Sequence, residues 1–157
     1  MESKAGNSVV VSDLKKLNTF VKELSATCRD YSVHIGIFGN KAQRKKGEVT
    51  NPELGVIHEF GSPAHGIPPR SFLRMPLAVK SSEIVAQVKT TENWKNLEHG
   101  KPLPVLKDLG HACEAFIEES FDTGGFGTWA ALKSRKGSPL VDTGQLRRSV
   151  TSKVVKA

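Results

Sequence analysis

Cysteine, aromatic residues and long apolar runs are all scarce in this chain of 157 residues, and each scarcity closes a class of function. Cys28 and Cys113 are its two cysteines, with no CxxC and no Cys/His cluster, so neither a zinc scaffold nor a disulfide framework is indicated. Both read as reduced, half-buried thiols. Aromatic residues make up 6% of the chain, and none interleaves the basic runs, which removes a base-stacking platform. No apolar run approaches the roughly 20 residues of a membrane span. The first residues lack the apolar core of a signal peptide, so a soluble protein made inside the cell is expected. The length suits one domain over 1–157 and leaves no room for two large domains with a cofactor cleft between them.

What the chain has in excess is base. Lys and Arg number 23 against 16 Asp and Glu, a net charge of +7 with a pI near 9.5. The excess is localised. Residues 39–50 hold four bases and one acid, residues 133–156 hold seven bases and one acid, and the remainder is slightly negative. Lys41, Arg44, Lys45, Lys46, Lys133, Arg135 and Lys136 are therefore the candidate contacts to DNA or to an acidic partner. No helix-turn-helix or zinc-finger pattern accompanies them. A basic nucleic-acid-binding accessory protein stands as an alternative on charge alone.

Periodicity gives an α+β class, with a small antiparallel sheet packed on about three main helices. Leu14, Leu17, Phe20, Val21, Leu24 and Cys28 predict a helix over 13–28, after a flexible 1–11. Val33, Ile35 and Ile37 alternate with Ser32, His34 and Gly36, which predicts a strand over 31–38. Residues 39–50 read as a long mobile loop. Asn51-Pro52 reads as an N-cap followed by Pro at the first helical position, opening a short helix that stops at Gly61. Residues 61–71 hold three prolines and two glycines and are expected to run extended, without a regular element. A second helix is expected from Arg74 to Val88, and residues 90–101 either continue it or form a short helix ending at Gly100. Leu106, Leu109, Cys113, Phe116 and Ile117 predict a helix over 104–121, then a glycine-rich mobile loop over 122–138. Val150, Ser152 and Val154 alternate in a last strand suited to pair with 31–38.

The search for chemistry returns little. His58-Glu59 matches the first half of HExxH, but position 62 is Ser62, so the two-histidine face of a zinc protease is missing. The two glycine-bearing stretches lack the strand and helix context of a phosphate loop. No catalytic set, metal or cofactor is expected. Two stretches remain that carry no chemistry, Asn51–Leu73 and Leu140–Val150. A proline-stiffened arm ending in Phe72 can cross a neighbouring surface, with Arg70 offering a bidentate contact to an acidic partner. Asp142-Thr143-Gly144 signals a turn before a short helical segment with Arg147 and Arg148 near its end. The competing reading is that both stretches anchor loops to the domain's own core.

At these stretches the sequence resembles the tailed-bacteriophage virion-morphogenesis proteins. These form the tail-completion, neck or head–tail-joining family, typified by Mu-like and HK-type siphophage members. The resemblance is carried by His58-Glu59-Phe60-Gly61, by Ile67-Pro68-Pro69-Arg70 with Phe72-Leu73-Arg74, by Trp129 to Leu132 followed by Lys136, and by Leu140 to Ser149. It departs from the family pattern at Ser71, where many relatives carry proline, and in a longer 89–103. The resemblance implies a small α+β structural protein and no enzyme. It implies self-assembly as a ring, commonly hexameric, with portal or adaptor (head-completion) proteins and tail-tube or tail-terminator proteins as partners. It also implies a place in the virion neck or tail after assembly in the host bacterial cytoplasm, no membrane partner, and contact with packaged DNA as an option. The assembly residues it implies are His58, Phe60, Gly61, Ile67, Pro68, Pro69, Arg70, Phe72, Leu73, Asp142, Thr143, Gly144, Leu146, Arg147 and Arg148.

Overall fold

A 21-residue helix, Pro102–Asp122, is the spine of the molecule, roughly 31 Å long at 1.5 Å per residue. It is seen in a computed structural model that describes residues 18–19, 22, 25–26, 29–42, 49–132, 139–140 and 144–156. In chain order the elements are β1 (Tyr31–Ile37), α1 (Asn51–Phe60), α2 (Arg74–Val79), α3 (Ser81–Val88), α4 (Thr91–Glu98), the spine α5, α6 (Gln145–Ser149) and β2 (Val150–Lys156). Short 3-10 turns lie at Gly39–Ala42 and Pro63–His65. Residues 18, 19, 22, 25, 26, 29 and 30 are helical, in keeping with the expected N-terminal helix, whose other residues lie outside the described ones.

The α+β class holds. β1 and β2 pair antiparallel, Tyr31 opposite Lys156 and Ile37 opposite Val150, so elements far apart in sequence close the fold. Alternation decides the face. Val33 and Ile35 lie opposite Val154 and Ser152 on the side turned to α5, while Ser32 and His34 are exposed. The spine comes close because residue 110 is glycine: a Cβ there would overlap Ser152 and touch Val33. Glu114, one turn further on, accepts a hydrogen bond from the Ser152 amide and another from the Thr151 hydroxyl, which ties β2 to the spine.

α5 buries Val105, Leu106, Ala112, Cys113, Phe116, Ile117 and Phe121 at helical spacing. Its first half packs with Ile84, Val88 and Leu97 of α3 and α4, its second half with Phe72, Leu140 and Leu146. Ile35 and Leu77 touch both groups, so the core is continuous. Asn93, buried on α4, donates to the Val88 carbonyl and to Asp108, each at 2.9 Å, and so pins α3, α4 and α5 together.

Several boundaries differ from the sequence expectation. The N-cap of α1 is Thr50 rather than Asn51, with a capping box in which Thr50 and Glu53 bond each other's backbone amide. Glu53 earns this place because a first-turn carboxylate reaches back to the cap. The expected helix 74–88 is two helices, interrupted at Lys80, whose amide still bonds the Pro76 carbonyl. Residues 89–100 hold a separate helix, with Gly100 just past its end in the left-handed region. The described helices therefore outnumber the three main ones expected. Residues 61–71 are not simply extended. Ser62 and Ile67 form a β-bridge around the 3-10 turn, with Gly66 left-handed at φ 64°.

The glycine-rich stretch after α5 is also closed. Gly124, Gly125, Phe126 and Gly127 take φ of 63°, 67°, 53° and 78°, a left-handed turn that glycine tolerates and a lone phenylalanine is strained to join. Hydrogen bonds from Gly125 to Ser120 and from Trp129 to Gly124 hold it. Residues 43–48 and 133–138 of the two expected loops lie outside the described residues.

Candidate functional site

The stretches singled out in the sequence meet around one carboxylate. Glu59 sits in the last turn of α1 with 5% of its surface exposed. It accepts hydrogen bonds from the Ser71 hydroxyl at 2.6 Å, from the amides of Phe72, Leu73 and Arg74 at 2.8, 3.0 and 3.3 Å, and from Arg74 Nε at 2.9 Å. Those amides belong to the start of α2, where a helix leaves its N–H groups without intrahelical partners. A side chain from α1 thus caps α2, a job that Leu73 at the N-cap position has no side chain to do. Ser71 completes the cap by accepting from the Met75 amide at 3.0 Å.

Burial on its own would raise the Glu59 pKa. The hydrogen bonds from Ser71, from the Leu73 amide and from Arg74 outweigh burial and hold it below the ordinary 4.5. The carboxylate is therefore charged and saturated with donors. It is a structural clamp between the end of α1 and the start of α2. Among the described residues no group of three or more His, Cys, Asp or Glu is placed to hold a metal ion. Cys113 is a core residue, its thiol pushed above the ordinary 9.0 by burial and then by Glu114. Cys28 lies outside the described residues.

The arm is folded back on its own subunit. The Gly61 turn (φ 77°) lies so close to Ile67 and Pro69 that a Cβ would sit 2.8 Å from Pro69 N and 2.9 Å from Ile67 O. Half-buried His58 receives the Arg70 amide on its carbonyl at 2.7 Å. Pro68 is half-buried and Pro69 exposed. Arg70 is 5% exposed, and its guanidinium donates to the carbonyls of Ala130 and Ala131 at 3.0 and 3.4 Å. Phe72 is 0% exposed, its ring 5.4 Å from that of Phe121, which in turn meets Trp129 edge-on at 5.7 Å. Trp129 Nε1 donates to the Ser71 carbonyl at 3.3 Å. The expectation that Arg70 and Phe72 project toward a neighbour is thus corrected: both side chains are consumed inside the subunit, where they dock residues 129–131 and fill the core.

The remaining expected residues divide. Leu73 is half-buried, and Leu146 is in the core. Gly144 is left-handed at φ 68° and opens α6. Arg147 bridges Glu118 and Asp122 of α5, with Nη2 2.9 Å from each, so it too is engaged within the chain. Arg148 is exposed. Asp142 and Thr143 lie outside the described residues, as do Arg44, Lys45, Lys46, Lys133, Arg135 and Lys136. Lys41 is exposed in its 3-10 turn, and its carbonyl takes the Asn51 side chain at 2.8 Å.

What faces out beside the clamp is apolar. Val56 and Phe60, each 59% exposed, stand one turn apart on α1 at the edge of an open groove of about 190 Å³ walled by Ile37, Phe72 and Leu73. Gly55 forms its floor, 3.4 Å from Ile37 and Phe72 at the position of a Cβ. The Arg74 guanidinium lies over the Phe60 ring at 4.5 Å. Val56 and Ser71 were not among the expected site residues. Periodicity puts Leu54, Ile57 and Phe60 on one face of this helix, but Phe60 is exposed beside Val56 while Leu54 and Ile57 are half-buried. Ser71 had a signal only as a departure from the family pattern.

Fold and site together define a small α+β protein whose motif residues hold shape and leave an apolar surface open. Over 49 residues the chain is 39% identical to the Mu-like prophage FluMu G protein 2 of Haemophilus influenzae, a match that covers 31% of this chain and 36% of that protein. The chain thus matches about a third of that relative's length, and the match supports a relation to Mu-like phage proteins. No family model matches the chain, and no solved structure matches it significantly. Among the described residues no helix is long and apolar enough to cross a membrane.

Proposed function

We propose that this chain is a non-enzymatic virion-morphogenesis protein of a tailed bacteriophage, acting at the neck or tail junction as a homomeric ring. Its partners in this reading are portal or adaptor proteins on one side and tail-tube or tail-terminator proteins on the other. The observation that carries the reading is the 49-residue match to a Mu-like prophage protein. The geometry supports it in a negative and a positive way. Glu59 and Arg70 are engaged inside the subunit, the carboxylate accepting from Ser71, Phe72, Leu73 and Arg74 and the guanidinium donating to the Ala130 and Ala131 carbonyls. Val56 and Phe60 remain as exposed apolar side chains, which a monomer has little use for.

Mass spectrometry of purified virions, with imaging of isolated necks and tails, tests the proposal. The expected result is the protein in stoichiometric amount at the junction, in a ring. Its absence from purified particles overturns the reading.

A further inference from the structure

We propose that residues 123–131 form a strap that locks α2, and that strap and α2 open together as one unit while the spine α5 stays closed. Nothing in the strap depends on a ring.

The strap is pinned on both sides of α2. Half-buried Phe126 lays its ring 5.2 Å from Lys80 Nζ, just past the end of α2, and the same ammonium lies 5.7 Å from the Phe116 ring of α5. Further along the strap, the Trp129 indole donates to the carbonyl of Ser71, shortly before α2 begins. Ala130 and Ala131 then offer their carbonyls to Arg70. From Phe126 to Ala131 the strap therefore runs back along α2 and clips both its ends.

Strap and helix are each weakly held alone. Pro76 is the one buried residue of the six in α2, against nine in α5, so α2 can leave where α5 cannot. In the strap, Phe126 shares the left-handed region with Gly124, Gly125 and Gly127, a backbone that a side chain resists, so contacts rather than local preference keep it closed. Gly125 belongs to the pin, since a Cβ there would overlap the Trp129 indole. Thr128, Ala130 and Ala131 are exposed, so lifting the strap uncovers little apolar surface beyond Phe126 and Trp129. Ser71 joins the two parts. Its carbonyl holds Trp129, while its hydroxyl donates to Glu59 and accepts from the Met75 amide, so strap and helix cap share one residue. Opening bares the Phe121 ring, against which Trp129 stands edge-on, and takes both alanine carbonyls away from the Arg70 guanidinium.

Hydrogen exchange on the full chain tests the coupling from each side, with Trp129→Phe in the strap and Lys80→Met at the end of α2. Phenylalanine keeps a ring and loses the indole donor, and methionine keeps the stem and loses the charge. Circular dichroism confirms that both variants fold. Because coupling is reciprocal, each variant should speed exchange by about tenfold at the Gly127 and Trp129 amides and equally at the amides of Arg70 and α2. The amides of α5 from Val105 to Ile117 should exchange as in the wild type. A rise confined to the segment that carries the substitution overturns the proposal. A rise of equal size in α5, or no change in either variant, overturns it as well.

Discussion

Phe72 lies at 0% exposure against Phe121, so Phe72→Ala should destabilise the monomer itself by about 3–5 kcal/mol, the usual cost of deleting a buried ring. Urea unfolding with an unchanged slope would register it, and a loss of assembly with stability intact would contradict it. Arg70→Ala removes the charged side chain's hydrogen bonds to the Ala130 and Ala131 carbonyls and should cost about 1–3 kcal/mol by the same measurement. Glu59 makes a prediction with a sign. Its hydrogen bonds favour the ionised form, so its folded pKa lies below 4.5 and its unfolded value near it. The stability it contributes is complete above the unfolded value and is lost as pH falls through the folded one. Glu59→Gln should cost about 2–4 kcal/mol at neutral pH, as expected for breaking a buried, donor-saturated charge. It should also flatten the acid limb of a thermal-stability profile; a limb of unchanged steepness would show that another group is responsible. The burial of Phe72 and Arg70 fits the competing reading of the sequence, in which the arm anchors to its own core, but the Glu59 cap was not legible. Periodicity places Glu59 in a helix, but its partners are amides at positions 72 to 74, and backbone donors leave no mark on residue identity.

Among the elements, the strands and the spine were legible because their patterns are long or strictly alternating. Val33, Ile35 and Ile37 against Val150, Ser152 and Val154 fix both strands and their faces. The break at Lys80 was not, because neither glycine nor proline marks it. α2, with six residues, is too short to hold itself, since a helix that short never repays its nucleation. It depends on the Glu59 and Ser71 cap. Ser71→Ala should therefore act locally, raising amide exchange across Arg74–Val79 by about tenfold, the equivalent of about 1.4 kcal/mol for one lost cap. Protection in α5 should stay as in the wild type. Exchange rising equally in both helices would mean that α2 opens only with the whole molecule.

The whole molecule separates its charge from its core. Residues 49–132, which hold the clamp and the spine, carry ten acids and seven bases, a net −3, although the chain is +7. The base lies before and after them, as the sequence already indicated. Its placement matters for the nucleic-acid alternative. Any affinity for duplex DNA should reside in those flanking segments. Replacing Lys133, Arg135 and Lys136 together by alanine should then weaken DNA binding and flatten its dependence on salt. Each phosphate contact adds about 0.9 to the slope of log K against log salt, so three contacts remove up to about 2–3 units. Fluorescence anisotropy of a labelled duplex between 50 and 200 mM salt would measure the slope, and sedimentation of the same variant would show an oligomer like the wild type's. If assembly were lost together with DNA binding, the basic segment would belong to the contact between copies, and the charge would be part of the ring.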